Sequence, residues 1–217
     1  AALLWSVAGS WFFPNALPQN LQLLHWQDIT SYGPLIRSSF LIAATASLAT
    51  LLLVLAWSYT ALPKNFTNRW LLGCIFMPFF VPQISFLLGM QISLSRFGLD
   101  GSWLALIWVH MIFILPYTWL IVIPARQALD SRLDHVATTL GASAWQRFCR
   151  IHLPVMAYPL GTALFIGISV SVALYLPTVF VGAGRINTIT VEAVSLAAGG
   201  SRGPAGVAAM LQIAIPV

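Results

Sequence analysis

The sequence has very few charged residues. Lys, Arg, Asp and Glu make up 7% of its 217 residues, whereas 59% are apolar and the mean hydropathy is +0.87. Such a composition cannot cover the surface of a water-soluble domain, so it excludes that class and indicates a polytopic membrane protein. The apolar runs are continuous, so we expect membrane-spanning helices rather than the alternating strands of a barrel.

The sequence also lacks the motifs of common enzyme classes. It contains no G-x-x-x-x-G-K-[ST], and its single lysine, Lys64, has no glycine-rich neighbourhood, which excludes ATP binding in the P-loop manner. It contains no H-E-x-x-H, no G-x-S-x-G and no pair of carboxylates inside an apolar run. We therefore expect no enzymatic activity in this chain.

Acidic residues are missing from the apolar runs. A secondary transporter or channel driven by ion coupling would be expected to carry buried acidic residues along a span. The pattern therefore disfavours that class, which stays open as the alternative function. The acidic residues all fall in loops: Asp28, Asp100, Asp130, Asp134 and Glu192.

The two cysteines give little evidence of special chemistry. Cys74 falls in an apolar run and Cys149 in a polar loop, so we expect no disulfide between them. Cys149 and His152 form a C-x-x-H, but a structural zinc normally needs four ligands and no second cysteine pair exists. We interpret them as ordinary loop residues and expect no metal and no cofactor.

Four apolar runs are long enough to cross the membrane as helices, which takes roughly 20 residues. They are Gly33 to Ser58, Trp70 to about Leu94, Trp103 to Ile123 and Pro159 to Val181. Shorter runs at Ala1 to Phe13 and Pro204 to Val217 predict a fragment whose first and last helices are truncated. The expected fold is an all-α transmembrane bundle of about six spans, forming one domain over residues 1–217.

The basic residues predict the orientation. Six lie in two loops that would share one side of the membrane, and three or four lie on the other side, so the first set is expected in the cytoplasm. This asymmetry explains the net charge of +5 better than nucleic-acid binding does. The six are Lys64, Arg69, Arg126, Arg132, Arg147 and Arg150.

The second of these loops, at about residues 125–158, has an apolar periodicity. Its apolar side chains recur every three to four residues, which predicts one apolar face along two short helices with Gly141 as the turn and Pro154 closing the second helix. On the periodicity alone, a docking surface and an amphipathic connector at the membrane interface are both open. The apolar residues are Leu133, Val136, Ala137, Leu140, Ala144, Phe148 and Ile151.

A motif in this loop favours docking. His135-Val-Ala-Thr-Thr-Leu-Gly141, nine further residues and Ile151-His-Leu-Pro154 resemble the EAA loop of binding-protein-dependent ABC importer permeases. That family has E-A-A, three residues, Gly, nine residues and I-x-L-P. The Gly, the spacing and the final segment match, whereas His135, preceded by Asp134, stands at the acidic position and Val136 at the first Ala.

The resemblance implies a function for this EAA-like loop. In the family it is a coupling helix that seats in a groove of a cytoplasmic ATPase subunit, which supplies the energy for transport. The chain would then be an importer permease that forms the solute pathway. The residues implied in ATPase docking are His135, Val136, Ala137, Leu140, Gly141, Ala144, Phe148, Ile151, Leu153 and Pro154.

A weaker resemblance concerns residues 175–194, which are similar to the periplasmic segment after the fifth helix in permeases of the iron, thiamine and spermidine/putrescine-like group. Several of these are duplicated, and this chain looks like the second half of such a protein. The resemblance implies a multi-pass protein of the bacterial inner membrane. Its partners would be the ATPase, a periplasmic solute-binding protein, a second permease half or subunit, and the lipid bilayer.

Polar residues inside the apolar runs are candidates for the translocation path, because they are costly in a membrane. Each has an alternative role, such as hydrogen bonding to a neighbouring helix for His110 or snorkelling for Arg37. Prolines at positions 78 and 82 predict a kink in the run from Trp70. The path candidates are Gln83, His110, Ser169, Ser171 and Tyr175.

Overall fold

The computed structural model describes residues 2–9, 11, 15–60 and 68–216, and these ranges contain helices and a single isolated β-bridge between Ala8 and Leu21. This confirms the all-α class. The helices are α1 (Ala2–Val7), α2 (Gly33–Thr60), α3 (Arg69–Phe80), α4 (Gln83–Arg96), α5 (Trp103–Gln127), α6 (Ser131–Thr139), α7 (Ala144–Arg147), α8 (Leu153–Val155), α9 (Ala157–Ala173), α10 (Tyr175–Gly182), α11 (Ile189–Ala198) and α12 (Arg202–Ala214).

Helices α2, α5 and α9 pack against one another and form the centre of the molecule. Small residues let them approach closely. A Cβ atom on Gly167 of α9 would lie 2.9 Å from the Ser47 Oγ of α2 and 3.2 Å from a methyl carbon of Ile114 on α5. Small residues at such contacts are a common means of packing helices in a membrane.

Two helices in the described ranges are long and apolar enough to span a membrane alone, and up to four spans result if each bent pair counts as one. The single helices are Ile29–Thr60, which includes a short 3-10 turn before α2, and Trp103–Gln127. They match the predicted runs from Gly33 and Trp103. The short α1 lies in the first apolar run and packs against α12, which covers most of the last apolar run.

The run from Trp70 is two helices, not the single span that was predicted. Helices α3 and α4 meet at 106°. Pro82 has no N–H to continue the helical ladder, and it disfavours the helical conformation of the preceding residue. Val81 is accordingly extended, with φ −87° and ψ 133°. Pro82 thus lies at a complete break, which is stronger than the predicted kink, whereas Pro78 lies inside α3.

The run from Pro159 to Val181 is also divided. Helix α9 ends at Ala173, Leu174 is extended with φ −73° and ψ 91°, and α10 begins at Tyr175. Pro177 explains the break, because in a continuous helix its ring would clash with the carbonyl of Ala173 and could donate no hydrogen bond to it. Just before this break, the carbonyl of Val172 accepts a hydrogen bond from the Thr190 hydroxyl at the start of α11.

Candidate functional site

The EAA-like loop folds as a helix, a turn and a second helical segment. The Asp130 side chain caps α6 by accepting a hydrogen bond from the Arg132 backbone N–H at 2.9 Å. Gly141 follows α6 with φ +81°, a left-handed conformation that glycine adopts without cost. Ser143 and Gln146 form a capping box at the start of α7. These observations confirm the predicted turn at Gly141.

The second segment continues further than expected. A π-helical turn at Phe148–His152 joins α7 to α8, and the chain bends by 70° between Ala144–Val155 and Ala157–Ala173. Pro154 therefore does not itself close the segment, because the bend lies two residues later, at Met156. Pro154 has no backbone N–H to donate to the Arg150 carbonyl, so the α-helical hydrogen-bond pattern would be interrupted here. The wider π turn lies at this point of the chain.

Asp134 joins the two halves of the EAA-like loop. Its Oδ1 accepts a hydrogen bond from His152 Nε2 at 2.9 Å and lies 3.6 Å from Arg147 Nε. The Arg147 guanidinium also donates to the hydroxyl of Thr138 on α6. A charged hydrogen bond and an ion pair thus hold α6 against α7 and the π turn. In the sequence Asp134 is only the neighbour of His135, and no local pattern indicates this role.

The loop is attached to the bundle by an aromatic cluster. Tyr59 of α2 stacks on the His152 imidazole with 5.4 Å between ring centroids and 18° between planes. Phe148 meets the same tyrosine edge-on at 5.2 Å, and the Arg126 guanidinium of α5 lies 4.5 Å from its ring centroid. No pattern in the sequence indicates this role of Tyr59, because its partner in the π turn lies about 90 residues away in the chain.

The apolar residues of the EAA-like loop differ widely in exposure. Ala137 is buried, at 8% exposure, and Phe148 and Ile151 are half-buried. Val136 and Leu140 are 58% and 82% exposed, and Ala144, Leu133 and His135 are exposed too. Trp145, which was not predicted, is 71% exposed. We call Val136, Leu140 and Trp145 the apolar tip.

The structure brings two of the five path candidates together. Ser171 of α9 lies with its Oγ 2.7 Å from His110 Nδ1, and Thr178 Oγ1 of α10 lies 3.3 Å from His110 Nε2. The Thr178 hydroxyl donates its hydrogen to the Leu174 carbonyl, so its oxygen accepts a hydrogen bond from the Nε2–H of His110. The Nδ1 of His110 then carries no hydrogen and accepts a hydrogen bond from the Ser171 hydroxyl. The space around this cluster has no room for a water molecule.

The remaining path candidates lie elsewhere. Gln83 begins α4 at the proline break, and the Ser169 hydroxyl bonds to the Phe165 carbonyl of its own helix. Tyr175 is half-buried at the start of α10. Arg37 is exposed near the start of α2, as snorkelling requires. Within the described ranges, no group of three or more His, Cys, Asp or Glu could hold a metal ion.

Comparison with known proteins places the chain in a family. Residues 53–217 match the family described as binding-protein-dependent transport system inner membrane component. The chain is 36% identical over 177 residues to the inner membrane ABC transporter permease protein YnjC of Escherichia coli, covering 82% of this chain and 33% of YnjC.

Two further curated relatives are 30% identical. They are the molybdate/tungstate transport system permease protein WtpB of Thermococcus kodakarensis, over 57% of this chain and 50% of WtpB, and the sulfate transport system permease protein CysT of Escherichia coli, over 55% and 46%. The chain thus spans between a third and a half of the length of these relatives.

A solved structure shares the fold. A crystal structure of a bacterial ABC transporter involved in the import of the acidic polysaccharide alginate matches with a TM-score of 0.61 at 16% identity, covering 99% of this chain and 82% of the other. The family match spans most of the sequence and decides against a secondary transporter or channel. The chain belongs to the binding-protein-dependent transport system inner membrane components, the multi-pass, non-enzymatic permeases of ABC transporters.

Proposed function

We propose that this chain forms part of a solute pathway and is driven by a separate ATPase that binds the EAA-like loop from the cytoplasm. A periplasmic solute-binding protein supplies the solute, and a second permease half or subunit completes the pathway. ATP-driven closure of two ATPase subunits draws two such loops together and shifts the spans between inward-facing and outward-facing arrangements.

The observation that carries this proposal is the exposure of the apolar tip on a folded loop. Large apolar side chains at 58%, 82% and 71% exposure are costly in water, and they are held in place by the bonds of Asp134 and the cap of Ser143. Val136 and Leu140 lie four residues apart and therefore on the same face of α6. Helix-in-groove binding uses such preorganised apolar anchors.

The charges around the tip suit the same mode of binding. Arg132 and Arg150 are exposed on the loop, and Arg147 is tied to Asp134. Two exposed guanidinium groups beside an apolar anchor favour a groove with acidic residues at its rim, because opposite charges guide association and orientation. His135 is exposed on α6 and is proposed to contact the ATPase where the family has its acidic residue.

The test replaces an anchor and measures ATPase binding. Leu140→Asp places a charge in the proposed groove, so co-purification of the ATPase with the intact permease should fall strongly. Ser131→Asp is the matched control, because it adds the same charge at the exposed first residue of α6. Wild-type ATPase recovery with Leu140→Asp would refute docking through the tip. Membrane insertion should be normal for both variants.

A further inference from the structure

Three side chains from separate parts of the chain stack where the EAA-like loop meets the bundle. Tyr59 is the second-last residue of α2, Arg126 is the second-last residue of α5, and His152 ends the π turn. The Tyr59 ring contacts both of the others, with the guanidinium carbon 4.5 Å from its centroid and the imidazole centroid at 5.4 Å. One aromatic ring thus contacts α5 and the loop while belonging to α2.

The loop is covalently joined to the bundle at both ends, through α5, which is separated from α6 by three residues, and through α9. Beyond the π turn the chain enters α9 through Met156, where the helix axis changes direction by 70°. A force applied to the loop is therefore not directed along α9. The stacked contacts of Tyr59 give a second kind of route, through packed side chains, which leads to the end of α2. Helix α2, like α5, packs against α9 in the centre of the bundle.

The route through Tyr59 continues into the loop, because His152, on which Tyr59 stacks, is bonded to the Asp134 that pairs with Arg147. His152 is 7% exposed, and its Nε2 is fixed by Asp134 on α6, which also pairs with Arg147. Its ring plane is covered by Tyr59. A displacement of α6 therefore reaches the tyrosine through one hydrogen bond and one ring contact. Contiguous packed and hydrogen-bonded groups of this kind can carry coupling between sites.

We propose that Tyr59 is a positioning residue for transport, and that its ring contacts with Arg126 and His152 form a clamp that makes the end of α2 move with the EAA-like loop and the end of α5. This inference rests on the proposed docking of the ATPase. It assigns the transmission step to a side chain outside the loop, and docking itself does not require that residue.

The ring of Tyr59, and not its hydroxyl, contacts Arg126 and His152. The Tyr59 hydroxyl oxygen is buried and has no hydrogen-bond partner among the described residues. Both the stacking on imidazole and the cation–π contact use the ring face. Tyr59→Phe should therefore preserve transmission, whereas Tyr59→Leu removes both ring contacts while keeping an apolar side chain.

The first experiment uses the full transporter with its ATPase and binding protein in proteoliposomes. We expect Tyr59→Leu to lower the amount of solute transported per ATP hydrolysed by about fivefold or more, the lower range of coupling between linked sites. Tyr59→Phe should retain the wild-type ratio. Tyr158→Leu is the matched control, because Tyr158 is 85% exposed at the start of α9, and it should also retain the ratio.

The second experiment measures movement directly. Spin labels at Thr60 and Ser143, both exposed, would report the distance from the end of α2 to the loop in a background where Cys74 and Cys149 are replaced by serine. In the wild type this distance should be unchanged on ATP binding, because both ends move together. In Tyr59→Leu it should change or broaden. Arg126→Gln, which keeps the tyrosine, should give a smaller effect in the same direction.

The outcomes separate this inference from the docking proposal. Tyr59→Leu should still recover the ATPase at the wild-type level, whereas Leu140→Asp should not. A wild-type transport ratio in Tyr59→Leu, or an unchanged label distance in that variant, would overturn the role of Tyr59. If Tyr59→Leu does not insert, Arg126→Gln decides, and wild-type behaviour of that variant in both measurements would overturn the clamp.

Discussion

Asp134 accepts a hydrogen bond from the Nε2–H of His152 at 2.9 Å, across eighteen residues of the chain. Asp134 immediately precedes the residue that stands at the family's acidic position, and its carboxylate faces the second half of the same loop. The acidic group next to the motif thus serves the internal structure of the EAA-like loop. His135, which takes the motif position, has an exposed side chain.

Asp134→Ala should loosen the EAA-like loop. The variant loses the bond to His152 and the ion pair with Arg147, together worth about 1 kcal/mol for partly exposed groups. Protection of the α6 and α7 amides from hydrogen exchange should fall about fivefold. Asp134→Asn keeps a carbonyl acceptor for His152 and should lose less. Equal protection in Asp134→Ala and wild type would show that these bonds do not hold the loop.

Substitutions at Gly141 test the turn separately from the bonds of Asp134. A Cβ atom at this position would meet nothing within 4 Å, so the cost of a substitution comes from the backbone at φ +81°. Gly141→Val should strain the turn by about 1–2 kcal/mol and reduce solute-stimulated ATP hydrolysis, whereas Gly141→Asn should be tolerated, since asparagine adopts this conformation more readily. The prediction fails if the two variants hydrolyse ATP equally well.

The orientation of the chain can be tested by labelling. Cysteines placed at Ser143 and Asn187, both exposed, should react with a membrane-impermeant maleimide from opposite sides in a background without Cys74 and Cys149. Ser143 should be labelled from the cytoplasm and Asn187 from the periplasm, as the basic residues predict. The reversed pattern would place the EAA-like loop out of reach of a cytoplasmic ATPase.

His110 should stabilise the break between α9 and α10. His110→Leu removes the hydrogen bonds to Ser171 and Thr178 inside the bundle and should cost about 1 kcal/mol, seen as a lower unfolding temperature of the purified protein. His110→Gln can both donate and accept and should lose less. Ser169→Ala is the control, because Ser169 bonds only within its own helix. An unchanged unfolding temperature in His110→Leu would argue against this role.

Much of the fold could be predicted, because a membrane-spanning helix requires a long apolar run in the sequence. The run from Gly33 to Ser58 and the run from Trp103 to Ile123 were recognised from length and hydropathy, and the structure has helices there. The runs from Trp70 and Pro159 were recognised too, but not their division, because hydropathy does not show whether a proline bends a helix or ends it. That Val81 and Leu174 are extended is visible only in their backbone angles.

The sequence by itself determined the class of the protein, the family motif and the glycine turn at Gly141, since each depends on residues that are close in the chain. Tertiary structure decided which motif side chains are exposed, because Ala137 and Leu140 have similar local patterns and opposite burial. It also decided that His110 meets Ser171 and that Tyr59 meets His152. These contacts join residues about 60 and 90 positions apart, so their geometry depends on how the helices pack and leaves no periodic pattern in the sequence.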